Sequence, residues 1–441
     1  MSRPTLVVAV HDGFYGVGTG AGYANRAFLE VLADHLLPGV HLVVMPVHLN
    51  PSSPEYDPLW HARTRAILQK VHASIRPVDN GTAGRQRFGG PEAFGCLARD
   101  TASALLGQIL PGADPVLVIA FDVPFLGLGA LLPPQVGARV IAVPRSTALL
   151  HDPSNTRRID DERRALAALT GAGGQVAAIS AHMREHLRNA YAVPSPALID
   201  FPDGLTDREQ TFTVPGPRFL PAPARAGFLL TIGRAHPYKG FDDLIDALLI
   251  LRQDHVPLPH TVIAAVTEDS TLSAHQLHLS RRLAELGPDA TTLLTRFTPK
   301  IRGLLAHPAL RAVIVPSRTE PFGRIPIEAY AAGAAPVVAT TAGGLREQVI
   351  HDITGITTEP SDPLQLACAI RRAVELTEPD RDRLRRAGRA ILRERYNATT
   401  TTHRFLTDVA PWSLTPTTAH RPSKRCSSGE VEVRSSRHLN R

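Results

Sequence analysis

The stretch "RAVIVPSRTEPFGRIPIEAYAAGAAPVVAT", residues 311–340, contains two Val-rich runs on either side of a helical pattern. The runs "RAVIVP" and "APVVAT" are continuously apolar, which is typical of strands buried on both faces of a parallel sheet. Between them, "RIPIEAYAA" predicts a helix that ends at Gly333. A strand, a loop, a helix and a second strand in this order predict a βαβ unit and an α/β fold.

The same alternation extends along the chain in both directions. In the first half the predicted strands are "TLVVAV", "HLVVMPV", "VLVIAF", "RVIAVP", "QVAAIS" and "ALIDFP". In the second half they are "FLLTIG", "HTVIAAV", "TTLLTRF", "RAVIVP" and "APVVAT". The stretch Asp203–Gly227 between the two series is rich in Pro and polar residues, which predicts a linker. We therefore expect two doubly wound parallel sheets that face a cleft, with ligands beyond the carboxyl ends of the strands.

This pattern divides the chain into four segments. We expect an N-terminal Rossmann-like domain at residues 1–205, a C-terminal Rossmann-like domain at 206–395, a helix at 396–412 that returns toward the N-terminal domain, and a disordered tail at 413–441. The tail holds +4 of the formal net charge of +7, because six basic residues follow Pro411 against two acidic ones. Its Ser, Thr and Pro content favours a solvated end over a nucleic-acid or membrane contact.

The composition of the 441 residues, 43% hydrophobic and 20% charged, is that of a soluble globular protein. No apolar run approaches the roughly 20 residues that span a bilayer, and "LVVAV" near the N-terminus is too short for a signal-peptide core. Cys96, Cys368 and Cys426 are widely scattered, so neither a disulfide framework nor a zinc site is indicated. We expect a cytoplasmic location and leave the oligomeric state open.

Two cations follow the predicted strand "FLLTIG". Arg234 and Lys239 lie in "RAHPYKGF", before Gly240 and a predicted helix. A planar guanidinium and a compact ammonium on one short loop suit a diphosphate. The alternative is a surface loop with two solvated cations.

Two glutamates follow the strand "RAVIVP". Glu320 stands in the loop before the helix, where the free N–H groups of Phe322 and Gly323 would form an anion site. Glu328 stands inside an apolar helix, and a buried Glu needs a partner: Arg318, Arg324 or a ligand. Both carboxylates could accept hydrogen bonds from sugar hydroxyls. The alternative is structural, with Glu320 compensating the helix dipole and Glu328 paired with a buried Arg.

Glycines precede predicted helices at two other strand ends. Gly343 and Gly344 follow "APVVAT", while Gly16, Gly18 and Gly20 follow "TLVVAV", where they would let the backbone approach a ligand. A turn without a ligand is the alternative at both places. The spacing does not fit G-x-G-x-x-G, and the next strand has no acidic residue at its end, which disfavours a nicotinamide enzyme.

Taken together, these motifs resemble those of the retaining GT-B glycosyltransferases. The seven residues between the glutamates of "EPFGRIPIE" match the E-x7-E signature, and the chain is most similar to the family 4 group. The resemblance extends to about residue 410 and includes "IGRAHPYKGFDDLIDAL" and "TAGGLREQVIHDITGI". It implies a GT-B fold whose N-terminal domain binds the acceptor and whose C-terminal domain binds the nucleotide-sugar donor.

The resemblance also implies roles for the matching residues. Arg234 and Lys239 would hold the donor diphosphate and Glu320 the transferred sugar, which makes these three the candidate catalytic residues. Glu328 would bind the ribose, and Phe297 would frame the base. The implied donor-binding set is Arg234, Lys239, Phe297, Glu320, Phe322, Gly323, Glu328, Gly343 and Gly344.

The N-terminal domain departs from the family pattern. Many relatives have a His directly after the strand that matches "VIAVP", but "RSTALLHDP" begins with Arg145 and reaches His151 only later. Either residue could serve the sugar or the acceptor, and so could His11 with Asp12. The implied phosphate and acceptor loop is formed by Gly16, Gly18 and Gly20.

The implied reaction is transfer of a hexose-type sugar to an unknown hydroxyl, with retention and without a metal ion or other cofactor. A UDP donor is favoured over a GDP donor, and the Arg-rich, Lys-poor composition suggests a GC-rich bacterial genome and specialised-metabolite glycosylation. The alternatives are a non-catalytic sugar-nucleotide binder and a UDP-GlcNAc epimerase of GT-B fold. A zinc peptidase is disfavoured, because "HMREH" at 182–186 is a short H-x-x-E-H match without a second acidic-ligand segment.

Overall fold

The computed structural model describes residues 2–216, 220–267, 271–287, 289–334 and 336–415. Its first sheet has seven strands, all paired in parallel, in the order β3-β2-β1-β4-β5-β6-β7. These strands are β1 Arg3–Val10, β2 His41–Pro46, β3 Ser74–Ile75, β4 Ala113–Phe121, β5 Val140–Val143, β6 Gln175–Ala178 and β7 Leu198–Asp200.

The second sheet has six parallel strands in the order β10-β9-β8-β11-β12-β13. These are β8 Phe228–Arg234, β9 His260–Thr267, β10 Thr291–Arg296, β11 Leu310–Val315, β12 Val337–Thr340 and β13 Ile356–Thr358. The two sheets confirm the predicted pair of Rossmann-like, doubly wound units. Because β8 and β11 are neighbours, the loops that follow them lie side by side.

Helices cover the faces of both sheets. Those before β8 are α1 Gly20–His35, α2 Pro58–Gln69, α3 Pro91–Ala104, α4 Pro134–Gly137, α5 Ala148–His151, α6 Thr156–Gly171, α7 Ala181–Ala190 and α8 Asp207–Gln210. Those after β8 are α9 Phe241–Gln253, α10 Ala274–Ala284, α11 Arg324–Ala332, α12 Leu345–Gln348, α13 Pro363–Glu375, α14 Glu378–Arg395 and α15 Ala398–Val409. Within the described ranges, no helix is long and apolar enough to cross a membrane.

The predicted strands and most predicted helices match these elements within a few residues. Helix α11 ends as expected at Gly333, which adopts the left-handed conformation. The stretch "GGLREQVIHD" was expected to form a helix, but α12 is a single turn. It stops at Val349, whose backbone is extended. The sequence pattern did not predict the short strands β3 and β13, because two or three residues are too few to show a period of apolar side chains.

The last helix packs on the N-terminal unit. Ala398 in α15 forms a buried cluster with Ala27 and Val31 of α1, and the ring of Phe405 stacks on Phe201 with 4.3 Å between centroids. The segment expected to be a disordered tail begins at residue 413, and its first three residues lie within the described part of the chain. There the Ser413 carbonyl accepts a hydrogen bond from Leu37, and Leu414 is buried. The rest of the tail, 416–441, lies outside the described residues.

Candidate active site

The loops after β8 and β11 bring the predicted cation and carboxylate together. The Lys239 ammonium forms an ion pair with the Glu320 carboxylate, and both side chains are largely buried. Gly240 allows this approach, because its φ is +69° and a Cβ there would lie 1.9 Å from the Pro316 carbonyl oxygen. Arg234 lies at the same loop, with its guanidinium 5.6 Å from the centroid of the Tyr238 ring.

The amino end of α11 lies against Glu320. Gly323 has a φ of +88°, and a Cβ there would lie 2.6 Å from Leu345 Cδ2 and 2.9 Å from Glu320 Cγ. Only glycine fits such a position without strain. Within the described part of the chain, the amides of Phe322 and Gly323 donate to no acceptor. The site therefore combines two cations, one carboxylate and two N–H groups that could bind an anion.

Gly343 and Gly344 lie against the backbone of Glu320, and their expected contact with a ligand stays a prediction. The Gly344 amide donates to the Glu320 carbonyl oxygen at 2.9 Å, so it does not point at an open ligand site. Gly343 has a φ of +53°, and a Cβ there would lie 2.1 Å from the same carbonyl oxygen. The two glycines thus pack against the Glu320 carbonyl group and help to fix the loop that carries Glu320.

Glu328 does not face the cleft as an open carboxylate. It is 3% exposed, and its oxygens accept from Arg302 Nε at 2.8 Å and from Arg324 Nε at 3.2 Å. Arg324 was one of the two expected partners, whereas Arg318 instead pairs with Asp243 at 2.6 Å. Arg302 could not be identified from the sequence, since it lies in a different loop. The ribose contact of Glu328 stays a prediction.

Phe297 directly follows β10. Its half-buried ring packs against Ala264, Val266 and Ile301, and its amide donates to the Thr267 carbonyl oxygen at 2.9 Å. This places a ring at the carboxyl end of the second sheet. Its role beside a nucleotide base stays a prediction.

The glycine loop after β1 is organised by Asp12. This carboxylate accepts from the amides of Gly13 at 2.7 Å and Thr19 at 3.1 Å and from the Thr19 hydroxyl, and it also pairs with Arg87. The more distant Gly18 amide lies at 3.4 Å. The Asp12 side chain is fully buried among these partners, and its contact with an acceptor stays a prediction.

Gly16 is required for packing, whereas a Cβ would fit at Gly20, and the approach of this loop to a ligand stays a prediction. A Cβ on Gly16 would lie 2.4 Å from the Glu55 carbonyl oxygen. A Cβ on Gly20 would lie 3.4 Å from Arg324 Cδ, so α1 begins in contact with the second unit. The predicted loop therefore does reach the cleft, at the Arg324 side chain.

Arg145 is also buried and paired with acidic side chains, and its contact with the sugar or acceptor stays a prediction. Its guanidinium contacts Asp203 at 3.0 Å and Asp122 at 3.6 Å, while His11 Nδ1 lies 2.9 Å from Asp122. Burial disfavours the charge on Arg145, but Asp203 and Asp122 raise its pKa above the ordinary value. Because Asp203 begins the predicted linker, the first part of that linker is fixed to the first sheet.

His151 is the acceptor candidate that the structure brings to the loop after β8. Its ring stacks on Tyr238 with 4.5 Å between centroids and 24° between planes, and the Ser146 hydroxyl contacts its Nδ1. Burial, and then the positive charges of Arg234 and Lys239, lower its pKa to about 3. His151 is therefore a neutral hydrogen-bonding group at neutral pH.

A second contact between the units escaped sequence analysis. The Glu347 carboxylate accepts from the amides of Ala181 at 3.0 Å and His182 at 2.9 Å, at the start of α7, and the Ser180 hydroxyl donates to the Pro321 carbonyl oxygen at 2.7 Å. The "HMREH" segment thus begins a helix held at the domain contact. His186, the second His of this segment, has its Nε2 2.8 Å from the Thr147 hydroxyl. Among the described residues, no group of three His, Cys, Asp or Glu side chains could hold a metal ion.

Comparison with known proteins places this arrangement in context. Residues 217–391 match the family "Glycosyl transferases group 1". A glycogen synthase from Mycobacterium tuberculosis is 31% identical over 201 residues, which are 44% of each chain. A D-inositol 3-phosphate glycosyltransferase from Thermobispora bispora is 32% identical over 166 residues, 37% of this chain and 38% of that one. The chain thus spans less than half the length of these curated relatives.

Solved structures extend the similarity to the whole fold. A sucrose-phosphate synthase from Thermosynechococcus elongatus superposes with a TM-score of 0.69 at 21% identity. The match covers 91% of this chain and 97% of the synthase chain. Anabaena HepE in complex with UDP and glucose superposes with a TM-score of 0.65 at 18% identity, and the match covers 93% of this chain and 100% of the HepE chain. The chain has the GT-B fold, and the match to the glycosyltransferase group 1 family covers residues 217–391.

Proposed function

We propose that this protein is a retaining glycosyltransferase that moves a sugar from a UDP-hexose or UDP-N-acetylhexosamine to an acceptor hydroxyl. The observation that carries the proposal is the contact of Lys239 with Glu320, beside Arg234 and the unengaged amides of Phe322 and Gly323. This set offers separate partners for a diphosphate and for sugar hydroxyls. The binding of UDP and glucose by HepE supports the same class of donor.

The charges suit departure of a nucleoside diphosphate. As the glycosidic bond breaks, negative charge grows on the diphosphate, and Arg234 and Lys239 stabilise it from fixed positions. Glu320, released from Lys239, accepts hydrogen bonds from hydroxyls of the transferred sugar, and an ionised acceptor makes these bonds about twice as strong as neutral ones. Glu328 would hold the ribose while it shares its oxygens with Arg302 and Arg324.

Retention would follow from attack on the same face of the sugar, within a tight ion pair of oxocarbenium and diphosphate. Positioning of the acceptor hydroxyl is then a large part of catalysis. His151 is suited to this task, because its Nδ1 is held by Ser146 and its neutral ring leaves Nε2 for a hydroxyl of the sugar or acceptor. A role in specialised-metabolite biosynthesis belongs to the proposal and rests on composition alone.

Hydrolysis and transfer assays with a panel of UDP- and GDP-sugars, with and without EDTA, test the function directly. We expect turnover of a UDP-sugar that EDTA does not reduce, and NMR of the product should show the donor's anomeric configuration. UDP binding without turnover of any sugar would favour the non-catalytic binder. Conversion of UDP-GlcNAc to its 2-epimer would favour the epimerase.

Lys239→Ala tests the diphosphate site. Removing one partner of a buried, charged contact costs 2–5 kcal/mol in typical complexes, so the Kd for UDP should rise at least about thirtyfold. The matched control is Lys70→Ala, since Lys70 forms an exposed ion pair with Asp34, near the carboxyl end of α1. Equal UDP affinity in the two variants would refute the role of Lys239.

A further inference from the structure

Arg324, the first residue of α11, contacts three separate parts of the molecule. Its Nε donates to Glu328 within α11 at 3.2 Å, its Nη1 to the Gly204 carbonyl oxygen at 3.2 Å, and its Nη2 to Glu209 of α8 at 2.8 Å. Gly204 and Glu209 lie in the connection between the two sheets. One guanidinium therefore joins the helix of the candidate donor site to the linker.

A second arginine extends this contact to the N-terminal unit. Arg302 donates to the other Glu328 oxygen, and its guanidinium lies 4.6 Å from the centroid of the Tyr23 ring in α1. The Arg324 guanidinium lies 5.7 Å from the same ring. Cations over an aromatic face are attracted to it, and more strongly when they are removed from water. We call Tyr23, Glu209, Arg302, Arg324 and Glu328 the bridging cluster.

The bridging cluster is balanced in charge and buried. It contains two guanidinium groups and two carboxylates, and the exposed fractions of the Arg324 and Glu328 side chains are 6% and 4%. Burial alone would lower the pKa of Arg302, but Glu328 raises it above its ordinary value. Removal of one member from such a group leaves an uncompensated charge, which is costly. The cluster therefore favours one relative position of α1, the linker and α11.

We propose that Arg324 is a positioning residue that couples occupancy of Glu328 to the geometry of the two domains. The proposal rests on the proposed function, in which the donor ribose binds Glu328. A ribose hydroxyl there would share the two carboxylate oxygens with Arg302 and Arg324, because an ionised carboxylate offers about four lone-pair sites. Arg324 also contacts Gly204 and Glu209, so the orientation of Glu328 that suits the ribose depends on the position of the linker.

The coupling acts in both directions. If the linker moves away, the Arg324 guanidinium loses Gly204 and Glu209, so it is less firmly fixed beside Glu328 and orients that carboxylate less well for the donor. By thermodynamic linkage, a geometry that favours the donor is in turn favoured by the donor, and by the same factor. Loss of Arg324 should therefore change both the domain geometry without ligand and the affinity for the nucleotide.

Distances between two spin labels measured by pulsed EPR test this coupling. Cys368 is exposed on α13 and is one attachment site, and Arg164→Cys supplies the other on the exposed side of α6. Cys96→Ser and Cys426→Ser remove the remaining thiols. The variants are Arg324→Gln and the milder Glu209→Gln, which removes the charge at the linker while Gln can keep the contact to the Thr206 amide. The matched control, Arg282→Gln, breaks ion pairs within the C-terminal unit alone.

We expect a single narrow distance distribution for the ligand-free wild type and a shift when UDP is added. Arg324→Gln and Glu209→Gln should broaden the ligand-free distribution and raise the Kd for UDP about tenfold, while Arg282→Gln changes neither. Wild-type distributions and affinity in both bridging variants, with UDP still bound, would refute the coupling alone. A wild type that binds no nucleotide would refute the proposed function and the coupling with it. If Arg324→Gln does not fold, the distance distribution and the UDP affinity of Glu209→Gln decide whether the coupling exists.

Discussion

Replacement of Glu320 by Gln should move nucleotide binding and catalysis in opposite directions. In the ligand-free protein the Glu320 carboxylate occupies Lys239, the cation that the proposed function assigns to the diphosphate. Glu320→Gln removes this competing charge, so UDP, which carries no sugar, should bind more tightly. The same change removes the ionised acceptor for the sugar hydroxyls, so turnover of the UDP-sugar should fall at least about a hundredfold.

The size of the gain in affinity follows from the contact of the two side chains. A phosphate oxygen that binds the Lys239 ammonium would lie about 5 Å from the Glu320 carboxylate on the same ammonium. At an effective dielectric constant of about 20, two unit charges at that separation repel by about 3 kcal/mol. The Glu320 side chain is 14% exposed and can rotate away, which reduces the repulsion. We expect a net gain of about 1.4 kcal/mol, a roughly tenfold lower Kd for UDP.

Isothermal titration calorimetry with UDP, together with initial rates for the UDP-sugar, measures both effects. Glu375→Gln is the matched control, because Glu375 forms an exposed ion pair with Arg371 on α13. UDP affinity that is unchanged or weaker in Glu320→Gln would refute the competition between the carboxylate and the diphosphate. Turnover at the wild-type rate would refute the role of Glu320 toward the sugar.

Two further predictions concern stability and loop geometry. The pKa of His151 is lowered from 6.5 to about 3, so the unfolded chain binds a proton that the folded one does not, and stability falls as the pH drops below 6.5. At about pH 5 this loss reaches about 2 kcal/mol in the free energy of unfolding, and His151→Asn should reduce it. Urea unfolding at several pH values measures the effect. The same pH dependence of stability in the variant and the wild type would contradict the prediction. Gly323→Ala should lower the free energy of unfolding by about 1–3 kcal/mol in the same assay, because φ is +88° at this position. Gly171→Ala is the control and should cost less, because a Cβ there has open space around it. Equal losses of stability in the two variants would count against strain at Gly323.

Much of the second sheet and of the site around Lys239 and Glu320 could be predicted from the sequence. Val-rich runs and helical periods repeat locally, so they identified every strand of the two sheets except β3 and β13, and also the bounds of α11. Ligands of such sheets bind beyond the carboxyl ends of the strands, which made Lys239 and Glu320 candidates for the site. Their contact still required that β8 and β11 be neighbours, and the strand order became visible only in the structure.

Buried charges show the limit of this reasoning. Asp12 and Arg145 follow strands of the first sheet, just as Lys239 and Glu320 are placed in the second, yet both are paired inside the protein. A motif cannot distinguish these cases, because the partners Arg87 and Asp203 are remote in sequence. Glu328 raises the same difficulty, since one of its two arginines lies in another loop.

The amino-acid sequence by itself determined the alternation of strands and helices, the division into two sheets and the residue types at the strand ends. These properties depend on local conformation and on the period with which apolar side chains recur. Only the tertiary structure decided which charges meet, that His151 stacks on Tyr238 and that Arg324 reaches the linker. The physical reason is that an ionised group is neutralised by whatever side chain packs beside it, and packing joins residues that are far apart along the chain.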